Sequence, residues 1–129
     1  MFKTVLFPID QSRASLEAAE TVANIVQKYE SRLVILSVLE KDEAGGTMAD
    51  ASAVAQLLQS VQAMFNDKGI PSEVIEREGV PAFTICDVAD ETEADLIIMG
   101  CRGLGLTDEN KSVTNRVINL SPCAVMVVP

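Results

Sequence analysis

Apolar residues along this chain follow two alternating rhythms. Lys3 to Ile9 holds a near-continuous apolar run, Thr4-Val5-Leu6-Phe7, stopped by Pro8, and Arg32 to Leu39 repeats the pattern around Leu33-Val34-Ile35-Leu36. Runs of β-branched residues and leucine without alternation suit strands buried on both faces of a parallel sheet. Between them Leu16, Ala19, Ala23 and Val26 recur at helical spacing behind Ser12 as N-cap, which predicts a helix ending near Tyr29. Glu40 to Asp50, with Gly45-Gly46 and several carboxylates, reads as a mobile loop. From Asp50 the positions Val54, Leu57, Leu58, Val61 and Phe65 predict a second helix, closed by Lys68-Gly69 and followed by the breaker Pro71.

The second half keeps the alternation. Ser72 to Glu78 mixes charged residues with Val74-Ile75, the pattern of an edge strand with one wet face. After Gly79-Val80, Pro81 opens a third helix whose buried face carries Ile85, Val88 and Ala89. Ala94 to Met99 is a fourth strand, and a glycine-rich turn from Gly100 to Gly105 leads to a short fourth helix marked by Val113, Val117 and Leu120. Ser121-Pro122 ends that helix and Cys123 to Val128 is the fifth strand. Strands alternating with helices imply right-handed βαβ units, hence an open parallel α/β sheet covered on both faces. The half-polar third strand belongs at an edge and the most apolar first and fourth strands at the centre, which gives the order 3-2-1-4-5 in one domain, residues 1–129.

Charge narrows the partners. Nineteen acidic against ten basic residues leave a formal net charge of −9, a field that repels nucleic acid and anionic lipid surfaces. No segment approaches the roughly 18 apolar residues of a membrane span, and the N-terminus runs straight into a short strand without the pattern of a signal peptide, so a cytoplasmic location is expected. The absence of histidine removes Ser-His and Cys-His catalysis and the commonest metal ligand. Cys86, Cys101 and Cys123 are too few and too far apart for a disulfide framework. Cys86 and Cys123 read as core, whereas Cys101, in the glycine-rich turn beside Arg102, is the thiol expected to be most reactive. The four internal methionines fall in separate elements and read as core filler, and the carboxylates of Asp90 to Glu93 as a solvated helix end.

In an open α/β sheet a ligand binds beyond the carboxyl ends of the strands where the order reverses, here between strands one and four. Pro8-Ile9-Asp10-Gln11-Ser12 and the turn from Gly100 to Gly105 meet at that point. A carboxylate holds a ribose hydroxyl, and glycine amides leading into a helix hold phosphate oxygens. The same residues also admit a plain structural reading, in which Asp10 caps the first helix and the glycines form a tight turn.

Phe2-Lys3-Thr4-Val5-Leu6-Phe7-Pro8-Ile9-Asp10, Leu36-Ser37-Val38-Leu39, Ala94 to Gly103 and the ending Ser121 to Val128 together resemble the universal stress protein family over residues 2 to 129. The resemblance implies the sheet order above, a Rossmann-like fold of the adenine nucleotide alpha hydrolase-like type, and a homodimer paired through the last strand, Val125, Met126, Val127 and Val128. Some members bind ATP or AMP, with magnesium accompanying ATP. In that branch an acidic residue after strand one holds the nucleoside, a strand-two residue touches adenine, and Gly-x2-Gly-x9-Gly-Ser/Thr holds the phosphates. Carried over, the pattern gives Asp10, Val38, Gly100 and Gly103, with Pro8 and Arg102 beside them. Beyond Gly103 it breaks: nine residues on stand Val113-Thr114, and alignment back from Pro122-Cys123 lands on Lys111-Ser112, so the third glycine is missing. Asp108 and Glu109 add carboxylates where phosphates would lie, and Lys111, Ser112 and Arg102 are left to compensate.

Two functions follow. One is a small stress-response regulator whose state is set by an adenine nucleotide at the switch point. The other is a nucleotide-free homodimer acting only through protein partners. No GxxxxGK[ST] loop and no GxSxG elbow is present, so the chain is read as a non-enzyme with at most slow ATP hydrolysis.

Overall fold

The computed structural model describes residues 1–10, 13–40, 51–100 and 108–129. In chain order the elements are β1 (Thr4–Ile9), α1 (Arg13–Tyr29), β2 (Arg32–Glu40), α2 (Ala51–Asp67), β3 (Ser72–Gly79), α3 (Pro81–Glu91), β4 (Leu96–Gly100), α4 (Asp108–Leu120) and β5 (Ala124–Val128). All strand pairs are parallel and the order is β3-β2-β1-β4-β5, as the hydrophobic pattern predicts.

Side-chain alternation sorts the core into two layers. Val5, Phe7, Ile9, Leu33, Ile35, Leu96 and Ile98 point to the face covered by α1 and α2, where Phe7 meets Phe65 edge-on. Leu6, Val34, Leu36, Ile97 and Met99 point to the other face, covered by α3 and α4. Right-handed crossovers require this division, because the chain moves one way from β1 to β3 and the other way from β4 to β5. The reversal therefore falls between β1 and β4.

Local signals set the helix ends. Gly69, at φ +78°, terminates α2: its N–H reaches Asn66 O and the N–H of Ile70 reaches Phe65 O, both at 2.9 Å, while Ile70 is buried against the helix it closes. Pro81 occupies the first turn of α3, where no backbone donor is needed. Gly79 ahead of it lies at φ +153°, and a Cβ there would stand 2.6 Å from Thr84 Oγ1.

Three expectations need correction. Pro8 does not stop the first strand, which stays registered with β2 through Ile9↔Ser37. Leu16 and Leu120 are about half exposed, because the small residues Ala18, Ala19 and Ala23 with Val22 and Val26 let α1 sit close on the sheet, and Thr114 with Val117 fills that role on α4. The fourth helix starts at Asp108, with Lys111 as its fourth residue. Cys86 and Cys123 are half-buried at the margin of the second core layer. The loop predicted between strand two and helix two, Cys101 and the N-cap Ser12 lie outside the described residues.

Candidate functional site at the strand reversal

Backbone direction explains why the sheet opens where it does. Arg32 N–H donates to Lys3 O at 2.7 Å, whereas Asp95 N–H donates to Thr4 O at 2.8 Å and Asp95 Oδ2 accepts from Thr4 N at 3.1 Å. Successive residues of β1 thus turn their backbone groups alternately to β2 and to β4, with the even positions facing β4. Pro8 falls on that side and has no N–H to give. Registered pairing of β1 with β4 is confined to Val5↔Leu96 and Leu6↔Ile97, while β1 and β2 stay paired through six positions and β4 and β5 through five. Proline is tolerated in this central strand because the ladder ends there. The crevice at the switch point is a consequence of its position.

Asp10 is the first residue beyond β1 and is exposed at the edge of this crevice. Across from it Gly100 ends β4, opposite Val128 of β5. On the other side β2 brings Val38 to the same end of the sheet, next to buried Ser37, which is level with Ile9. Val38 packs against the second core layer, with α3 and α4 on its face, and Pro8 shares that face by alternation with Leu6. Pro8, Asp10, Val38 and Gly100 therefore lie at the same end of the sheet, at or next to the carboxyl ends of β1, β2 and β4. Lys111 and Ser112 lie in the second turn of α4, the helix that follows β4. Arg102 and Gly103 lie outside the described residues.

Charge at this end is unfavourable to phosphate on one count. Asp108 and Glu109 occupy the first turn of α4, where the helix would otherwise present bare amides to an anion.

Val80 and Phe83, which the sequence reading left unassigned, are 51% and 53% exposed at the start of α3. The signal available in the sequence was an aromatic residue in a first turn, off the stripe formed by Ala82, Ile85 and Ala89.

Elsewhere the polar groups serve structure. At the amino ends of the strands Arg32 forks onto Glu73 and reaches Thr92 O, and its hydrogen bonds hold the Glu73 carboxyl below the usual range. Arg77 does the same for Glu91. A shallow cavity of about 220 Å³ between Ser31, Arg32, Pro71 and Glu73 lies at that end, away from the switch point. Burial pushes the thiols of Cys86 and Cys123 up. Among the described residues no three His, Cys, Asp or Glu side chains converge to hold a metal ion, and no helix is long and apolar enough to cross a membrane.

Comparison with known proteins gives a consistent picture. The model of the universal stress protein family matches residues 1–129. A universal stress protein of Synechocystis is 57% identical over 136 aligned positions, spanning 100% of this chain and 87% of that relative. Among solved structures, a universal stress protein from Lactobacillus plantarum superposes with a TM-score of 0.83 at 22% identity, covering 99% of this chain and 98% of the other. A universal stress protein of Archaeoglobus fulgidus, solved in complex with dAMP, superposes with a TM-score of 0.79 at 17% identity, covering 100% and 98%.

Proposed function

The chain belongs to the universal stress protein family, and from that premise we propose that it is a small cytoplasmic regulatory protein that binds ATP or AMP at the β1/β4 switch point. The observation that carries this reading is the early parting of β1 from β4 at Pro8, which leaves a crevice bordered by Asp10, Val38 and Gly100. Asp10 accepts from the ribose hydroxyls, Val38 supplies an apolar surface for the base, and the amides following Gly100 receive the phosphates. Lys111, the fourth residue of α4, is assigned to a phosphate as a point charge, and magnesium, when ATP is bound, supplies charge neutralisation. The dAMP complex of the Archaeoglobus relative supports an adenine nucleotide as the ligand class. The chain holds no histidine and neither a GxxxxGK[ST] loop nor a GxSxG elbow, so the ligand is read as a signal whose hydrolysis is at most slow.

The protein is proposed to work as a homodimer joined along β5. Val127 is exposed on that edge strand, and Ile118 and Leu120 are half exposed on the neighbouring α4, so the edge carries an apolar patch that a second copy would cover. The placement of Asp108 and Glu109 favours the second reading, a nucleotide-free dimer acting through protein partners alone.

Equilibrium dialysis with ATP and AMP, with and without magnesium, separates the two. Retention that falls in Asp10→Ala supports the nucleotide reading. No retention by the native protein at millimolar ligand eliminates it, and retention unchanged in Asp10→Ala moves the site elsewhere.

A further inference from the structure

The outer face of α3 joins an apolar pair to an acidic pair. Ala82, Ile85, Val88 and Ala89 are buried against the sheet, which turns Phe83, Asp87 and Asp90 to solvent. At about 100° and 1.5 Å per residue, Val80 at the N-cap, Phe83, Asp87 and Asp90 form one stripe roughly 15 Å long, apolar at its start and acidic at its end. The stability of the fold accounts for neither half. Val80 and Phe83 are exposed and belong to neither core layer. Asp87 and Asp90 lie toward the carboxyl end of the helix, where its dipole disfavours negative charge, and the last turn holds no base to offset them. Arg77, which reaches α3 from β3, is held by Glu91, and Arg32, which reaches Thr92 just beyond the helix, forks onto Glu73. Asp87 and Asp90 therefore have no ion-pair partner among the described residues.

We infer that this stripe docks a basic amphipathic helix of another protein, an apolar side chain of which seats against Val80 and Phe83 while lysines or arginines one and two turns away meet Asp87 and Asp90. Charge selects the occupant. A net charge of −9 repels nucleic acid and anionic lipid. A second copy using the same stripe about a two-fold axis sets acid against acid when the helices run parallel, and acid against Phe83 when they run antiparallel, so the carboxylates gain no base in either case. A basic partner meets neither objection. The covered aromatic supplies most of the affinity, and the charge pairs supply selectivity and on-rate. A contact of this length is of the small, transient kind. The surface stands whether or not a nucleotide binds at the strand reversal.

The test pans a phage-displayed library of randomised helical peptides on the full chain and measures the selected peptides by fluorescence anisotropy against native protein, Phe83→Ser, and Asp87→Asn combined with Asp90→Asn. Enriched sequences are expected to join a large apolar residue to lysine or arginine one and two turns away. Their affinity should fall about tenfold in Phe83→Ser. It should fall about three- to tenfold in the double variant, by a factor that shrinks as salt rises. All three positions are exposed, and the double variant should melt no lower than the native protein because it relieves charge at the negative end of the helix. A lower melting temperature would make the carboxylates structural and overturn their docking role. No enrichment, enriched peptides without bases, or binding that ignores both variants overturns the inference. Binding to phosphatidylserine vesicles or self-association that is lost in Phe83→Ser assigns the stripe to a membrane or to a second copy, and overturns it as well.

Discussion

Replacing Gly79 by alanine probes how the start of α3, and with it Val80 and Phe83, is set. Gly79 ends β3 at φ +153°, and the added Cβ would meet Thr84 Oγ1 at 2.6 Å. The two penalties have different origins. A side chain in that backbone region costs on the order of 1–3 kcal/mol. The contact adds about 1 kcal/mol, because the obstructing atom ends a short side chain that can leave its rotamer. Together they predict a loss of about 2–4 kcal/mol, equivalent to roughly 5–15 °C in Tm for a chain of this size. Thr84→Ala removes the contact share alone, since Thr84 Cβ would stand at an ordinary 3.9 Å. Gly79→Ala should therefore cost less by about 1 kcal/mol in the Thr84→Ala background. Urea and thermal melts followed by far-UV circular dichroism, all at one protein concentration so that any self-association enters every melt alike, measure both terms. Gly79→Ala as stable as the native protein would refute the strain, and an identical loss in the two backgrounds would refute the contact.

Asp108→Asn combined with Glu109→Gln removes two carboxylates from the first turn of α4 and is expected to tighten ATP about three- to tenfold at low salt, with a smaller gain for AMP; equal gains for both ligands in dialysis would show that these residues do not face the phosphates. Val127→Lys places a charge on the exposed edge of β5 and should shift a sedimenting dimer to monomer; an unchanged sedimentation coefficient would place the interface elsewhere. Burial raises Cys86 and Cys123, so at pH 7.5 both should alkylate more slowly with iodoacetamide than in the urea-unfolded chain. Their folded pKa values exceed the unfolded ones, so the linked stability is present below the unfolded value and is lost as pH rises through the folded one. Mass-resolved labelling across pH 7–10 checks this, and native rates matching unfolded rates would contradict it.

The architecture was legible because each strand carries its own apolar run and each helix its own spacing. The edge character of β3 was visible in Glu73, Glu76 and Glu78 interrupting Val74 and Ile75. Helix faces were read less well. Leucine at positions 16 and 120 counts as buried in any periodicity argument, yet the approach of α1 to the sheet is set by alanines, which leave little trace in a hydrophobic pattern. Pro8 was taken for a strand breaker because a sequence does not say which neighbour a backbone amide faces. Asp10, Val38 and Gly100 were placed by topology alone, since their positions at strand ends fix their meeting.

The seam between β1 and β4 is fastened at its lower end by the reciprocal hydrogen bonds of Thr4 and Asp95 and unfastened above Leu6 and Ile97. It is the least hydrogen-bonded lateral joint among the described strands, and the packing of Leu96, Ile97 and Ile98 between the helical layers holds it shut. Apolar packing resists separation but tolerates small rotations better than a ladder does. With only two registered pairs, this joint has the fewest ladder hydrogen bonds to lose if the sheet were to part, so apolar packing rather than the ladder carries the cohesion between β4 and the strands of the first half.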